Sequence, residues 1–205
     1  MAQVRIAVLG AGNIGGTLGR KWAAAGNDVS FGVKDPQGSK AQAVKADLGE
    51  KVKIGSVADA LAACDVVLVA VPSSTVDELA QTHAAQFDGK IIIDATNRVG
   101  NPIPNSIATF QRHAPHAQVF RAFNIYGWEN FANPSYRGAQ ADLFYTGPDG
   151  AARQTVEQLI EEIGVHPLRV GDNDRAGLVD ALLPLWFTLS QQGRGRHFAF
   201  KVLTD

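Results

Sequence analysis

The chain has 205 residues, 45% hydrophobic and 19% charged, with a formal net charge of -1. That length suits one α/β domain with a full core, and the composition excludes intrinsic disorder. A balanced charge with no basic run excludes electrostatic capture of nucleic acid or an anionic membrane, though not a local phosphate site, and the single cysteine, Cys64, excludes an intrachain disulfide or a cysteine-rich metal site.

The first strand is expected over residues 4–9, followed by Gly10-Ala11-Gly12-Asn13-Ile14-Gly15 and a helix over 13–25. A glycine loop between strand and helix is the context in which G-x-G-x-x-G signals a dinucleotide site. Gly10 permits the tight turn, Gly12 lets backbone approach a pyrophosphate, and Gly15 lets helix and strand pack closely. The helix N-terminus offers free N–H groups to the anion. The second strand, 28–33, ends in Val33 and Lys34, with Ser39 and Lys40 shortly after. A site selective for NAD places a carboxylate here for the ribose 2′-OH, whereas a cation suits a 2′-phosphate. Lys34 therefore favours NADP(H) over NAD, with the neighbouring Asp35 as the competing reading.

A helix is expected over 39–48, a strand over 52–54, a helix over 57–62 and a strand over 66–71. Cys64, next to that apolar run, reads as a buried small hydrophobe. Val71, Pro72 and Ser73 follow the strand and would wall the cofactor ribose; a helix over 74–85 and a strand over 90–94 come next. Thr96 and Asn97 stand at that strand's end, before an irregular loop over 97–105 and a helix over 106–113. The strand at 118–123 leads into Asn124-Ile125-Tyr126-Gly127-Trp128. Ligands of open α/β sheets bind outside the carboxyl ends of the strands. Thr96, Asn97 and Asn124 are therefore candidate partners of the nicotinamide, and Asn124 and Tyr126 candidate walls for hydride transfer to a planar molecule. Each also suits a capping or core role.

Strands at 142–146 and 167–170 flank a helix at 151–163, and a last helix is expected over 174–191, kinked at Pro184. The apolar residues of that helix (Leu178, Val179, Leu182, Leu183, Leu185, Trp186, Leu189) cover more than one face. This fits burial against the sheet and, as one alternative, against a second subunit. Consecutive apolar positions in 66–71 and 91–93 are the pattern of strands buried on both faces. The fold class is therefore α/β: a doubly wound, mostly parallel Rossmann sheet of about eight strands with a short C-terminal helical unit. Residues 1–170 are read as the NADP-binding unit and 171–205 as a helical segment packed on it.

No run approaches the ~18 apolar residues of a spanning helix and no charged leader precedes an apolar stretch. A cytoplasmic protein without membrane or nucleic-acid partners is expected. Tyr-x-x-x-Lys spacing, a Walker phosphate loop and zinc spacings are absent, and His83, His113, His116, His166 and His197 are scattered. No metal is expected. With no acid/base constellation in view, the chemistry left is hydride transfer between two rings, which needs proximity and orientation most.

The chain is similar to the deazaflavin-dependent NADP oxidoreductases, the coenzyme F-420-dependent type, over essentially its full length. The matching pieces are Gly10 to Gly15, the Lys34 position, Val71-Pro72, Phe131-Ala132-Asn133, the stretch 178–185, Gly193-Arg194-Gly195 and Phe200 to Leu203. From Asp94 to Asn97 and Arg121 to Asn124 it also resembles the cytoplasmic reductase domain of the STEAP metalloreductases. The resemblance implies an often dimeric Rossmann protein passing hydride between NADP(H) and a flavin-like ring. Where the deazaflavin enzymes carry a histidine beside the deazaflavin, this sequence has Asn124, so FMN, FAD, coenzyme F-420 or a small quinone or carbonyl compound all stay open as acceptor. The alternatives are a non-catalytic NADP(H) redox sensor and a small imine or carbonyl reductase.

Overall fold

Short β-rich runs separated by helical patterns can bury both faces of their strands only if the helices lie on either side of one sheet. The computed structural model, which describes residues 2–204, has that arrangement. Its strands are β1 (Arg5–Leu9), β2 (Asp28–Gly32), β3 (Val52–Gly55), β4 (Val66–Val69), β5 (Ile91–Asp94), β6 (Gln118–Arg121), β7 (Asp142–Thr146) and β8 (His166–Gly171). They form one sheet in the order β3-β2-β1-β4-β5-β6-β7-β8. Neighbours pair in parallel except β6 and β7, which meet antiparallel through Arg121 and Thr146. The chain runs outward from β1 to β3 and then returns to β4 on the other side of β1. The strand order therefore reverses between β1 and β4, and a crevice opens at their carboxyl ends.

The helices are α1 (Asn13–Ala24), α2 (Ser39–Leu48), α3 (Val57–Ala62), α4 (Val76–Thr82), α5 (Ala84–Phe87), α6 (Ile107–His113), α7 (Trp128–Ala132), α8 (Ala151–Ile163), α9 (Ala176–Asp180) and α10 (Leu182–Leu189). One core joins Leu18 and Trp22 of α1 to Phe31, Phe131, Val156 and Trp186. The other joins Leu61, Val76, Phe87 and Phe110 to alternate residues of the same strands. All four residues of β4 are buried, as a consecutive apolar run requires. Cys64 lies in the second core, where burial pushes its thiol up.

Three elements differ from the sequence expectation. The helix expected at 74–85 is a 3-10 turn (Ser73–Thr75), then α4 and α5 separated by His83, whose backbone leaves the helical region. Helix α7 was not anticipated, since five residues carry no readable period. The last helix breaks at Ala181 instead of kinking at Pro184. A proline ring clashes with the carbonyl four residues earlier, here Asp180, so α9 stops there and Pro184 sits in the first turn of α10, where a missing N–H costs nothing. Ala176 packs in one core, while Val179 and Trp186 pack in the other. The C-terminal unit thus passes over the carboxyl edge of the sheet. The chain after it returns alongside, with Phe198 stacked on Trp186 at 5.5 Å and the Arg196 guanidinium 5.1 Å from the Trp186 ring. Among the described residues no helix is long and apolar enough to cross a membrane.

Candidate functional site

The glycine loop occupies the crevice at the switch point. Gly10 has φ +99°, and a Cβ on it would stand 2.7 Å from the Ala70 carbonyl oxygen, so only glycine lets β1 turn this tightly beside β4. A Cβ on Gly15 would fall 2.1 Å from the Gly10 carbonyl oxygen. At Gly12 a Cβ would meet no atom within 4 Å. Its smallness serves no protein neighbour; it keeps the space in front of α1 open. Gly12 is also the N-cap of α1, without a side-chain cap and without an acidic residue in the first turn. The first N–H groups of a 12-residue helix are thereby left to a ligand, with the positive end of the dipole behind them.

A cleft of about 1010 Å³ lies over this helix end. Gly10, Gly12, Asn13, Ile14, Val33, Lys34, Ser39, Lys40, Val71 and Pro72 line it, as does Asp35. Gly15 is buried behind the loop, and Ser73 lies in the turn beside the cleft without lining it. Lys34 and Lys40 are exposed, and among the described residues neither is in an ion pair. Ser39 opens α2, whose N-cap Gly38 has no side-chain cap and whose first turn has no acid. Asp35 is turned to local use: its Oδ1 accepts the Gln37 N–H at 2.9 Å, closing the turn into α2. This end of the cleft offers two cations and a helix N-terminus, a donor set that suits a phosphate, with the Asp35 carboxylate beside it.

Sequence reasoning missed the opposite wall. Thr75, Glu78, Leu79, Thr82 and His83 line the cleft. Their spacing (i, i+3, i+4, i+7, i+8) is one face of a helix, and that periodicity was the available signal. Val57, at the start of α3, adds to the apolar floor.

The ends of β5 and β6 are built differently from the expectation. Thr96 is buried with its hydroxyl donating to Asp94 Oδ1 at 2.6 Å. Asn97 accepts from Arg121 Nη2 at 2.7 Å and donates to the Asn124 carbonyl oxygen at 2.9 Å. Asn124, 1% exposed, donates to Asp180 Oδ1 at 3.1 Å, and its own Oδ1 is buried without a partner. None of these three side chains lines the cleft. Tyr126, expected as a wall, is a core residue: its hydroxyl donates to the Asp142 carbonyl oxygen at 2.7 Å and accepts the Phe200 N–H at 2.9 Å. Burial pushes its phenol far up, so the hydroxyl stays protonated at neutral pH, its proton engaged by the Asp142 carbonyl. Phe123, between Arg121 and Asn124, holds φ +61°, a strained value for a bulky residue. With that backbone Phe123 packs edge-on against Trp22 and Phe131.

Comparison with known proteins adds a partial family match. The family model described as NADP oxidoreductase coenzyme F420-dependent matches residues 5–98, from β1 through the end of β5. Among solved structures, a provisionally assigned F420-dependent NADP-reductase of Arthrobacter sp. FB24 superposes with a TM-score of 0.84 at 24% identity, covering 98% of this chain and 100% of that one. A hypothetical protein of Sinorhizobium meliloti gives 0.72 at 26% identity over 100% and 97% of the two chains. A reductive aminase of Aspergillus terreus, crystallised with NADPH4, cyclohexanone and allyl amine, gives 0.65 at 18% identity, covering 93% of this chain but 63% of its own. These likenesses establish the Rossmann-like α/β fold, and the family model reaches residues 5–98 of it.

Proposed function

We propose that the protein is an NADPH-dependent oxidoreductase that passes hydride between the nicotinamide and a flavin-like or deazaflavin acceptor. The observation that carries this is the cleft at the switch point, floored by the uncapped N-terminus of α1 and ended by the unpaired Lys34 and Lys40. The residues present fit the cofactor. Gly12, Asn13 and Ile14 would hold the pyrophosphate through backbone N–H groups, and Lys34, Ser39 and Lys40 the 2′-phosphate. Val71 and Pro72 would line the ribose, with the α4 face carrying Leu79 against the adenine side. NADPH, when bound, supplies the hydride. The protein's part is to hold the nicotinamide at the carboxyl edge beside the ends of β4, β5 and β6, where proximity lowers the barrier. The range of acceptors, FMN, FAD, coenzyme F-420 or a small quinone, is drawn from the resemblance, and the family model over residues 5–98 supports the coenzyme F-420 type among them. The homodimer belongs to the same reading, with Leu178, Leu185 and Phe187 exposed on the single chain.

Titration calorimetry tests the first step. NADPH should bind at sub-millimolar concentration, and Lys34→Glu should raise its Kd by about tenfold or more, as loss and reversal of one phosphate contact implies, while NADH changes little. Absence of NADPH binding refutes the proposal, and equal effects on both nucleotides remove the 2′-phosphate role of Lys34. Stopped-flow mixing of the NADPH-loaded protein with flavin or deazaflavin separates an oxidoreductase from a redox sensor, which would leave NADPH unoxidised. The imine reductase reading has the aminase fold likeness behind it and predicts NADPH oxidation by imines instead.

A further inference from the structure

Beneath the carboxyl ends of β5 and β6 lies a buried charge cluster that the reading above does not use. Asp94 and Arg121 are fully buried and Asp180 is 6% exposed. Every oxygen of the two carboxylates faces donors. Asp94 Oδ1 accepts the Thr96 N–H at 3.0 Å and hydroxyl at 2.6 Å, and Oδ2 accepts the Ser106 N–H at 2.7 Å with Arg121 Nη1 at 3.4 Å. Asp180 Oδ1 accepts from Arg121 Nε at 2.7 Å and Asn124 Nδ2 at 3.1 Å, and Oδ2 from Asn105 Nδ2 at 2.7 Å. Surroundings made only of donors belong to the ionised carboxylate. Two carboxylates against one guanidinium leave one net negative charge in the interior. Asp180 also fixes the flip of Asn124: the amide nitrogen must face the carboxylate, so the oxygen faces away, buried and without a partner.

The location gives this charge a consequence. On the cofactor reading, Lys34 at β2 holds one end of the dinucleotide and Gly12 at β1 its middle. The nicotinamide then extends to the other side, over β4, β5 and β6, which are one, two and three strands from β1 at about 4.8 Å each. Dihydronicotinamide is uncharged. When its C4–H bond breaks and both electrons leave with the hydrogen for the acceptor ring, the nicotinamide becomes a pyridinium cation. A buried, uncompensated negative charge stabilises that cation and does little for the neutral form, and the low dielectric of the interior strengthens the difference.

We propose that the Asp94–Arg121–Asp180 cluster, carried partly by the C-terminal unit, favours the oxidised nicotinamide and so biases the site toward NADPH oxidation and acceptor reduction. Asp180 is on this view a positioning residue: it acts through the field and through Asn124, from the end of α9 beside Arg121 and Asn124. The inference rests on the cofactor reading, and its test separates the two. NADP+ and NADPH are titrated separately into the intact protein and into Asp180→Asn, which keeps the size and removes the charge, though its amide nitrogen must then face one of the three donors. The wild type should bind NADP+ several-fold more tightly than NADPH. The variant should raise the Kd for NADP+ by about tenfold, roughly 1.4 kcal/mol, and change that for NADPH by less than about twofold. Equal losses for both forms would mark a merely structural role and overturn the proposal. So would a wild type that binds NADP+ no better than NADPH, a result that stands even if the variant does not fold. Binding of neither form defeats the cofactor reading itself.

Discussion

Gly12 and Gly15 lie three positions apart in one loop and are glycine for opposite reasons. The space a Cβ would need at Gly15 holds the Gly10 carbonyl oxygen, 2.1 Å away, while at Gly12 nothing stands within 4 Å. Gly12 has φ -73° and ψ -170°, values alanine adopts freely. Gly12→Ala should therefore shift the melting temperature by no more than about 2 °C, the entropy gain of alanine offsetting its poorer N-cap, and raise the NADPH Kd by about tenfold, because its methyl occupies the ligand's space. Gly15→Ala should cost about 1–3 kcal/mol, the usual penalty of overpacking, and lower the melting temperature by several degrees. Differential scanning calorimetry beside nucleotide titration reads both; a Gly12→Ala that melts early would remove the argument that this glycine serves a ligand. The loop and the Lys34 end were legible in the sequence because a glycine's need and a strand-end cation are local properties. Asn124 and Tyr126 were not. A strand-end rule gives the level of a residue along the sheet, but the positive φ at Phe123 redirects the chain, and no pattern in the sequence announces it.

Helix and strand boundaries followed the sequence where a period had room to develop. α2, α3 and α8 run over the residues expected, and all eight strands were anticipated within two residues at each end. The failures are short or composite: α7 with five residues, and the α9–α10 break, which depends on where a proline ring meets the preceding turn. How the residues after α10 would dock was equally illegible, since the docking is made by single side chains. Tyr126 is the clearest of them, its hydroxyl joining the Asp142 carbonyl to the Phe200 N–H. Tyr126→Phe leaves both backbone groups short of a partner in a partly buried place. The expected cost is about 1–3 kcal/mol by urea denaturation, with faster amide exchange at Phe200 and nucleotide affinity unchanged. An unchanged stability would mean that the Tyr126 hydroxyl contributes nothing to holding the returning segment.

At the scale of the whole molecule, the same returning segment ties the chain's end to β7, the strand that reverses the sheet's direction, and the tie is electrostatic. Asp142 has a side chain only 2% exposed, between His166 Nδ1 at 3.0 Å and Lys201 Nζ at 3.3 Å. Its Oδ2 accepts the Val202 N–H at 2.6 Å. Burial by itself would raise this carboxyl, but the hydrogen bonds from Val202, Lys201 and His166 outweigh it and hold the group below the ordinary carboxylate range. A carboxyl whose folded value is depressed stabilises the fold fully above its unfolded value, about 3.9, and loses that contribution as pH falls through the lower folded value. Asp59, Asp65, Asp77, Asp88, Glu129 and Asp149 are held low as well, but they are exposed or part-exposed pairs or caps whose effect water screens more than that of Asp142. Asp142 should therefore dominate the acid limb at this end of the sheet. Asp142→Asn should cost about 1–3 kcal/mol at neutral pH, and the gap from wild type should narrow as the pH drops below about 4, because protonation then removes from the wild type what the substitution has already removed. Urea midpoints measured from pH 7 to pH 3 on both proteins decide it: a gap that stays constant over that range would mean the carboxylate's charge contributes nothing to holding the chain's end against the sheet.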